Sequence, residues 1–243
     1  MRIVRALLQR LRHDEGGFSL TELLASSAVG TIVVLAAFQV IDASVSLSAK
    51  TQDRVDAIAR GRLAMEAMTQ SLRSQVCLGP GPGLAAIVGG DSNYVEFYGD
   101  LGDNNSRTNP GNDTFLPDKF RLTYDPVAKT ITEQVWQGAG TPPNSMTFTL
   151  RRTRVLLENV DLVPSTPFLR YYGFSGTEPI APNRLLAVPL NDNDRARAVQ
   201  VAISYVARPT RVSTTDRRST WFENYVYVRT SDPNDPDRSP QCV

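Results

Sequence analysis

The chain has 243 residues, 41% of them hydrophobic and 21% charged, with a formal net charge of +1, which is globular composition with enough apolar content for a packed core. That balance argues against disorder throughout and against a protein that grips nucleic acid by bulk backbone electrostatics, so nucleic acid is not an expected partner. The single histidine, His13, lies in the N-terminal segment expected to be removed, so the mature chain would have none, which argues against hydrolases that use an imidazole base and against zinc sites built on histidine.

Residues 1–17 read MRIVRALLQRLRHDEGG, with four arginines (Arg2, Arg5, Arg10, Arg12) and two acids (Asp14, Glu15); without them the net charge is −1. From Leu23 to Ile41 follow 19 residues without a charge, LLASSAVGTIVVLAAFQVI. As a helix this run spans ~28 Å, close to the ~30 Å hydrocarbon core of a bilayer. The arginines before it predict a cytoplasmic N-terminus, with everything after Ile41 outside. A secretory cleavage site after the run would fall at Ile41-Asp42-Ala43-Ser44, where bulky Ile41 is a poor fit.

The junction before the run is more informative. Gly16-Gly17-Phe18-Ser19-Leu20-Thr21-Glu22-Leu23-Leu24 resembles the class III signal of type IV prepilins, in which a basic leader, a glycine and a phenylalanine precede an apolar helix opened by one glutamate. The resemblance implies cleavage between Gly17 and Phe18 by a membrane prepilin peptidase and N-methylation of Phe18. It also implies an assembly role for Glu22, whose carboxylate would neutralise the free amine of Phe18 in a neighbouring subunit. An acid at the end of a membrane span is costly unless it pairs or serves a function. The bland alternative is an interfacial glutamate favoured by the helix macrodipole.

Beyond Ile41 no proline occurs before Pro80, and Val55, Ile58, Met65, Met68, Leu72 and Val76 recur at spacings of three, four and seven, one face of an amphipathic helix. Span and stripe together predict one helix from Phe18 to Val76, 59 residues or ~88 Å long. Gly30 and Gly61 would each cost about 1 kcal/mol relative to alanine inside it. Many major pilins carry a proline about twenty residues into the mature helix; Gln39 stands there, which suits a minor pilin or pseudopilin better.

After Leu78-Gly79-Pro80-Gly81-Pro82-Gly83 the signals become those of strands and turns. Strands are predicted at Tyr94–Tyr98, at Phe120–Tyr124 with a turn at Asp125-Pro126 and a return over Thr130–Trp136, near 145–151, 154–160 and 168–173, and over Val199–Tyr205 and Trp221–Arg229. An antiparallel sheet packed on the outer half of the helix follows. This order, one long helix and then strands, is an α+β class that resembles the pilin fold. The words Arg62–Arg73, Tyr94–Tyr98 and Val155–Val160 resemble J-type pseudopilins and PilW-like subunits. The expected organisation is a leader over 1–17, a transmembrane and filament-core helix over 18–41, an amphipathic outer half over 42–76, and a β-rich extracytoplasmic head over 77–243.

Cys77 and Cys242 fit no metal-ligand spacing. In an exported chain an even count favours one bridge between them, with free buried thiols as the alternative. Asp100, Asp103, Asn104, Asn105, Asn109, Asn112 and Asp113 crowd one loop with oxygen ligands suited to calcium, although solvated turns have the same composition; no other cofactor is implied. Arg151, Arg152 and Arg154 form one basic knot and Arg208, Arg211, Arg217 and Arg218 a second, each readable as contact with an acidic partner or as a strand edge protected by charge. The tail 231–240 is too proline-rich for a strand.

The expected function is therefore structural and non-enzymatic: a subunit of a type IV pilus, competence pseudopilus or type II secretion pseudopilus. Its partners would be prepilin peptidase, other pilins or pseudopilins, the inner-membrane assembly platform, and membrane lipid before assembly. The rival readings are a membrane-tethered hydrolase or binding protein that keeps residues 1–41 as an anchor, and a tip adhesin.

Overall fold

A computed structural model describes residues 19–78, 85–101, 116–141, 145–174, 184–210 and 220–228. They divide into two units, one up to Thr51 and one from Gln52 onward.

Helix α1, Leu20–Arg73, has 54 residues and contains no proline, so nothing interrupts its i to i−4 hydrogen bonds. It ends three residues before the expected Val76. There the backbone leaves to join a sheet: Gln75 bridges Gly99, and Val76 N–H donates to Tyr98 O at 3.0 Å. In the second unit its buried residues are Asp53, Ala57, Gly61, Ala64, Met65, Met68, Thr69, Ser71 and Leu72. The expected stripe is thus right for Met65, Met68 and Leu72 and wrong at its start, where Val55 is 58% exposed. Small residues at four-residue steps let a helix lie close to its neighbours, and these define the packed face instead.

Among the described residues, ten strands form two antiparallel sheets. The first joins β1 (Ile87–Gly90), β2 (Tyr94–Gly99), β3 (Asp118–Asp125), β4 (Thr130–Ala139) and β5 (Thr147–Glu158) in sequence order. The second has β10 (Thr220–Tyr227), β9 (Gln200–Ala207), β7 (Leu169–Gly173) and β8 (Arg184–Leu185) in that order, with β6 (Val160–Asp161) also on β9. A short helix α2, Asp192–Arg197, is capped by Asn191, whose side chain accepts from Asp194 N–H at 2.8 Å.

The α+β class is the expected one, with finer differences. The strands divide between two sheets rather than one, and Asn159 is where they part. Its φ of 56° turns the chain between Glu158, paired with Thr130 in the first sheet, and Val160, paired with Ala207 in the second; asparagine tolerates this left-handed conformation better than most residues. The two strands expected near 145–151 and 154–160 are one 12-residue strand with β-bulges. The hairpin at Asp125-Pro126 forms as read: Asp125 Oδ1 accepts from the backbone N–H of Val127 at 2.8 Å and Ala128 at 3.0 Å.

Met68 and Leu72 of α1 share one core with Phe97, Phe120, Leu122 and Ile131 of the first sheet and Tyr171, Ile203 and Tyr205 of the second. Each such fully buried side chain contributes about 1.5–3 kcal/mol. Ring contacts run from Tyr124 to Phe168 at 5.7 Å, to Tyr205 at 6.4 Å and to Phe222 at 5.4 Å, tying the two sheets together.

Candidate functional site

The segment Ser19–Thr51 is exposed at every residue. Leu23, Leu24, Ile32, Val33, Phe38 and Ile41 are each more than half accessible, and α1 is long and apolar enough to cross a membrane. A soluble surface rarely leaves so much contiguous apolar area uncovered; lipid or other apolar helices are the media that suit it.

The hydroxyls of its apolar run are arranged for such a medium. Ser26 Oγ donates to Glu22 O at 2.7 Å, Ser27 Oγ to Leu24 O at 2.9 Å and Thr31 Oγ1 to Ser27 O at 2.8 Å. All three hydroxyls within Leu23–Ile41 are therefore satisfied by the helix itself, as a span through hydrocarbon requires. At Gly30 a side chain would meet nothing within 4 Å.

Ser19 caps the helix: its Oγ accepts from Glu22 N–H at 3.2 Å, and its carbonyl accepts from Glu22 and Leu23 N–H at 3.0 and 3.1 Å. Ser19-Leu20-Thr21-Glu22 has the S-x-x-E spacing of a capping box, a signal that marks Ser19 and that the reading of Glu22 alone missed. The Glu22 carboxylate makes no hydrogen bond or ion pair among the described residues, and it sits in the first turn, where the exposed N–H groups favour negative charge.

Gly17 and Phe18 lie outside the described residues. Cys77 is disulfide-bonded; Cys242, the other cysteine of the chain, lies outside them. So do Asp103, Asn104, Asn105, Asn109, Asn112 and Asp113 of the calcium candidates, Arg211, Arg217 and Arg218 of the second basic knot, and the tail 231–240. Asp100 is described, and its backbone N–H donates to Ser74 O at 3.0 Å. Among the described residues no three His, Cys, Asp or Glu side chains are grouped to hold a metal. Arg208 pairs with Asp161, and Arg152 and Arg154 pair with the buried carboxylate of Glu133.

Two buried tyrosines serve as hydrogen-bond donors. Tyr205 donates to Gly61 O at 2.7 Å, and burial pushes its phenol well above the ordinary range. Tyr171 donates to Tyr94 O at 2.8 Å and is likewise raised, first by burial and then by Asp91. Neither phenol ionises near neutrality, so both hold structure.

Fold and site together define an α+β protein in which, among the described residues, one helix is long and apolar enough to cross a membrane. No family model matches the chain, and no similar curated protein or solved structure was found.

Proposed function

We propose that the chain is a structural minor pilin or pseudopilin, made as a precursor, cut between Gly17 and Phe18 by prepilin peptidase, and assembled through its N-terminal helix. The observation that carries this reading is α1 itself. One uninterrupted helix has a first half that is apolar and exposed throughout, opened by a single acid at Glu22, and a second half that supplies core residues to a β-rich head.

In this reading the apolar half rests in the inner membrane and then exchanges lipid for sister helices of a pilus or pseudopilus on the assembly platform. Free energy changes little on that exchange, because lipid tails and neighbouring apolar helices are similar media. A specific electrostatic contact must therefore set axial register, and Glu22 against the new amine of a neighbouring Phe18 supplies it. The Cys77 disulfide fits an oxidising compartment, with Cys242 as its proposed partner.

Mass spectrometry of the natural product tests the reading. The expected chain begins at N-methylated Phe18, and Glu22→Ala retains cleavage while losing incorporation into filaments. A product that still begins at Met1, or that starts after Ile41, rules the proposal out; the former outcome would favour a membrane-anchored extracytoplasmic binding protein.

A further inference from the structure

A cavity of about 470 Å³ opens between α1 and the β5 edge of the first sheet. Its charged wall comes from β5. Alternation along a strand places Arg152 and Arg154 on one face, opposite Val135 and Glu133 of β4. A β-bulge then inserts Arg151 between Arg152 and Leu150, which pairs with Trp136, and so all three arginines line the same cavity.

Glu133 organises that wall. It is 1% exposed; its Oε1 accepts from Ser71 Oγ of α1 at 2.7 Å, and its Oε2 meets Arg152 at 3.1 Å and Arg154 at 3.0 Å. One buried carboxylate thus holds two guanidinium groups in place, each with further N–H donors that make no hydrogen bond among the described residues. Arg151 is exposed and has no hydrogen bond or ion pair among the described residues. With Asp118 as the second acid in the lining, the walls retain one unit of positive charge. Phe120, Val135, Leu101 and Ala67 supply an apolar side.

We propose that this cavity is a carboxylate-binding site. The carboxylate meets Arg151 and the free N–H groups of Arg152 and Arg154, and its hydrocarbon rests against Phe120 and Val135. Pre-positioned guanidinium forks bind planar carboxylates with little ordering cost. The volume lies within the ~300–1,000 Å³ usual for small-ligand sites. One net positive charge suits a monoanion, whereas a phosphate dianion would leave excess negative charge beside Glu133 and Asp118. The carboxylate can belong to a free organic acid or to an acidic side chain of a peptide. The site is independent of the filament reading.

Calorimetry on the full chain in a non-ionic detergent tests this, with pentanoate, the peptide acetyl-Gly-Glu-Gly-amide, pentanamide and inorganic phosphate as probes. One or both carboxylates should bind with a Kd of about 1 mM or tighter, and the tighter of the two identifies the source. Arg151→Gln should weaken that binding about tenfold or more at an unchanged melting temperature, and Arg151→Lys should weaken it less. No heat from either carboxylate at about 10 mM, equal binding by pentanamide, tighter binding of phosphate, or unchanged affinity in Arg151→Gln would each overturn the proposal.

Discussion

At Gly61 a Cβ would stand 2.5 Å from the Phe222 ring and 3.1 Å from the Ala207 methyl, so the glycine is the contact by which α1 approaches β9 and β10. Its carbonyl also accepts the Tyr205 hydroxyl. The expectation that it weakens the helix is correct for propensity and incomplete for packing. Gly61→Ala gains helix propensity and loses more through overpacking, because Phe222 is stacked on Tyr205. The expected outcome is a head less stable by about 1–3 kcal/mol, measured by denaturant unfolding of the detergent-solubilised chain followed by tryptophan fluorescence. Gly30→Ala, where the space is open, should leave that unfolding midpoint where it is.

Among the elements, β9 shows most clearly how neighbours decide burial. All eight of its residues are buried, yet its sequence alternates apolar Val201, Ile203 and Tyr205 with Ala202 and Ser204. Strands β7 and β10 cover the second face with a polar network: Arg170 pairs with Glu223, and Tyr225 Oη donates to Glu223 Oε1 at 2.9 Å. Burial alone would raise the Glu223 carboxyl, but hydrogen bonds from Tyr225 and Arg170 hold it below its ordinary value. A carboxyl depressed on folding contributes stability that is fully present above its unfolded pKa of about 4.3 and is lost as pH falls through its folded value. Glu223→Gln should therefore be less stable than the parent at pH 7, with the two denaturation curves converging as the solution is acidified below that range. A difference that persists undiminished at low pH would assign the loss to packing instead. The β5 bulge acts at the same scale: it reads as a break between two strands in sequence, and in the fold it adds Arg151 to a wall that alternation would have limited to Arg152 and Arg154.

For the whole molecule, the two units meet opposite demands within one helix. Up to Thr51 apolar residues face outward, and beyond it the buried face of α1 carries Ala64, Met65, Met68 and Leu72 into a core shared by both sheets. The Cys77 disulfide acts at this scale as well. If its partner is Cys242, the bridge closes a loop of far more than 100 residues, and reduction should lower stability by up to about 4–5 kcal/mol in the chain-entropy model. Non-reducing peptide mapping should recover the two cysteine peptides joined within one chain, and a disulfide-linked dimer on a non-reducing gel would contradict that pairing.

The apolar run, the absence of proline through α1, the alternating strands and the Asp125-Pro126 turn were legible in sequence because each is set by local periodicity or backbone preference. Strand β1 was not, since two of its four residues are glycine; at Gly90 a Cβ would stand 2.7 Å from Tyr171, a contact distant in the chain. The start of the packed helix face, the division into two sheets at Asn159, and the meeting of Ser71, Glu133 and three arginines at one cavity likewise depend on residues far apart in sequence. Sequence by itself determined the long helix with its apolar run and the strands that alternate clearly. Only the tertiary structure decided which faces touch, because close approach and charge pairing are properties of the assembled neighbours and not of any one segment.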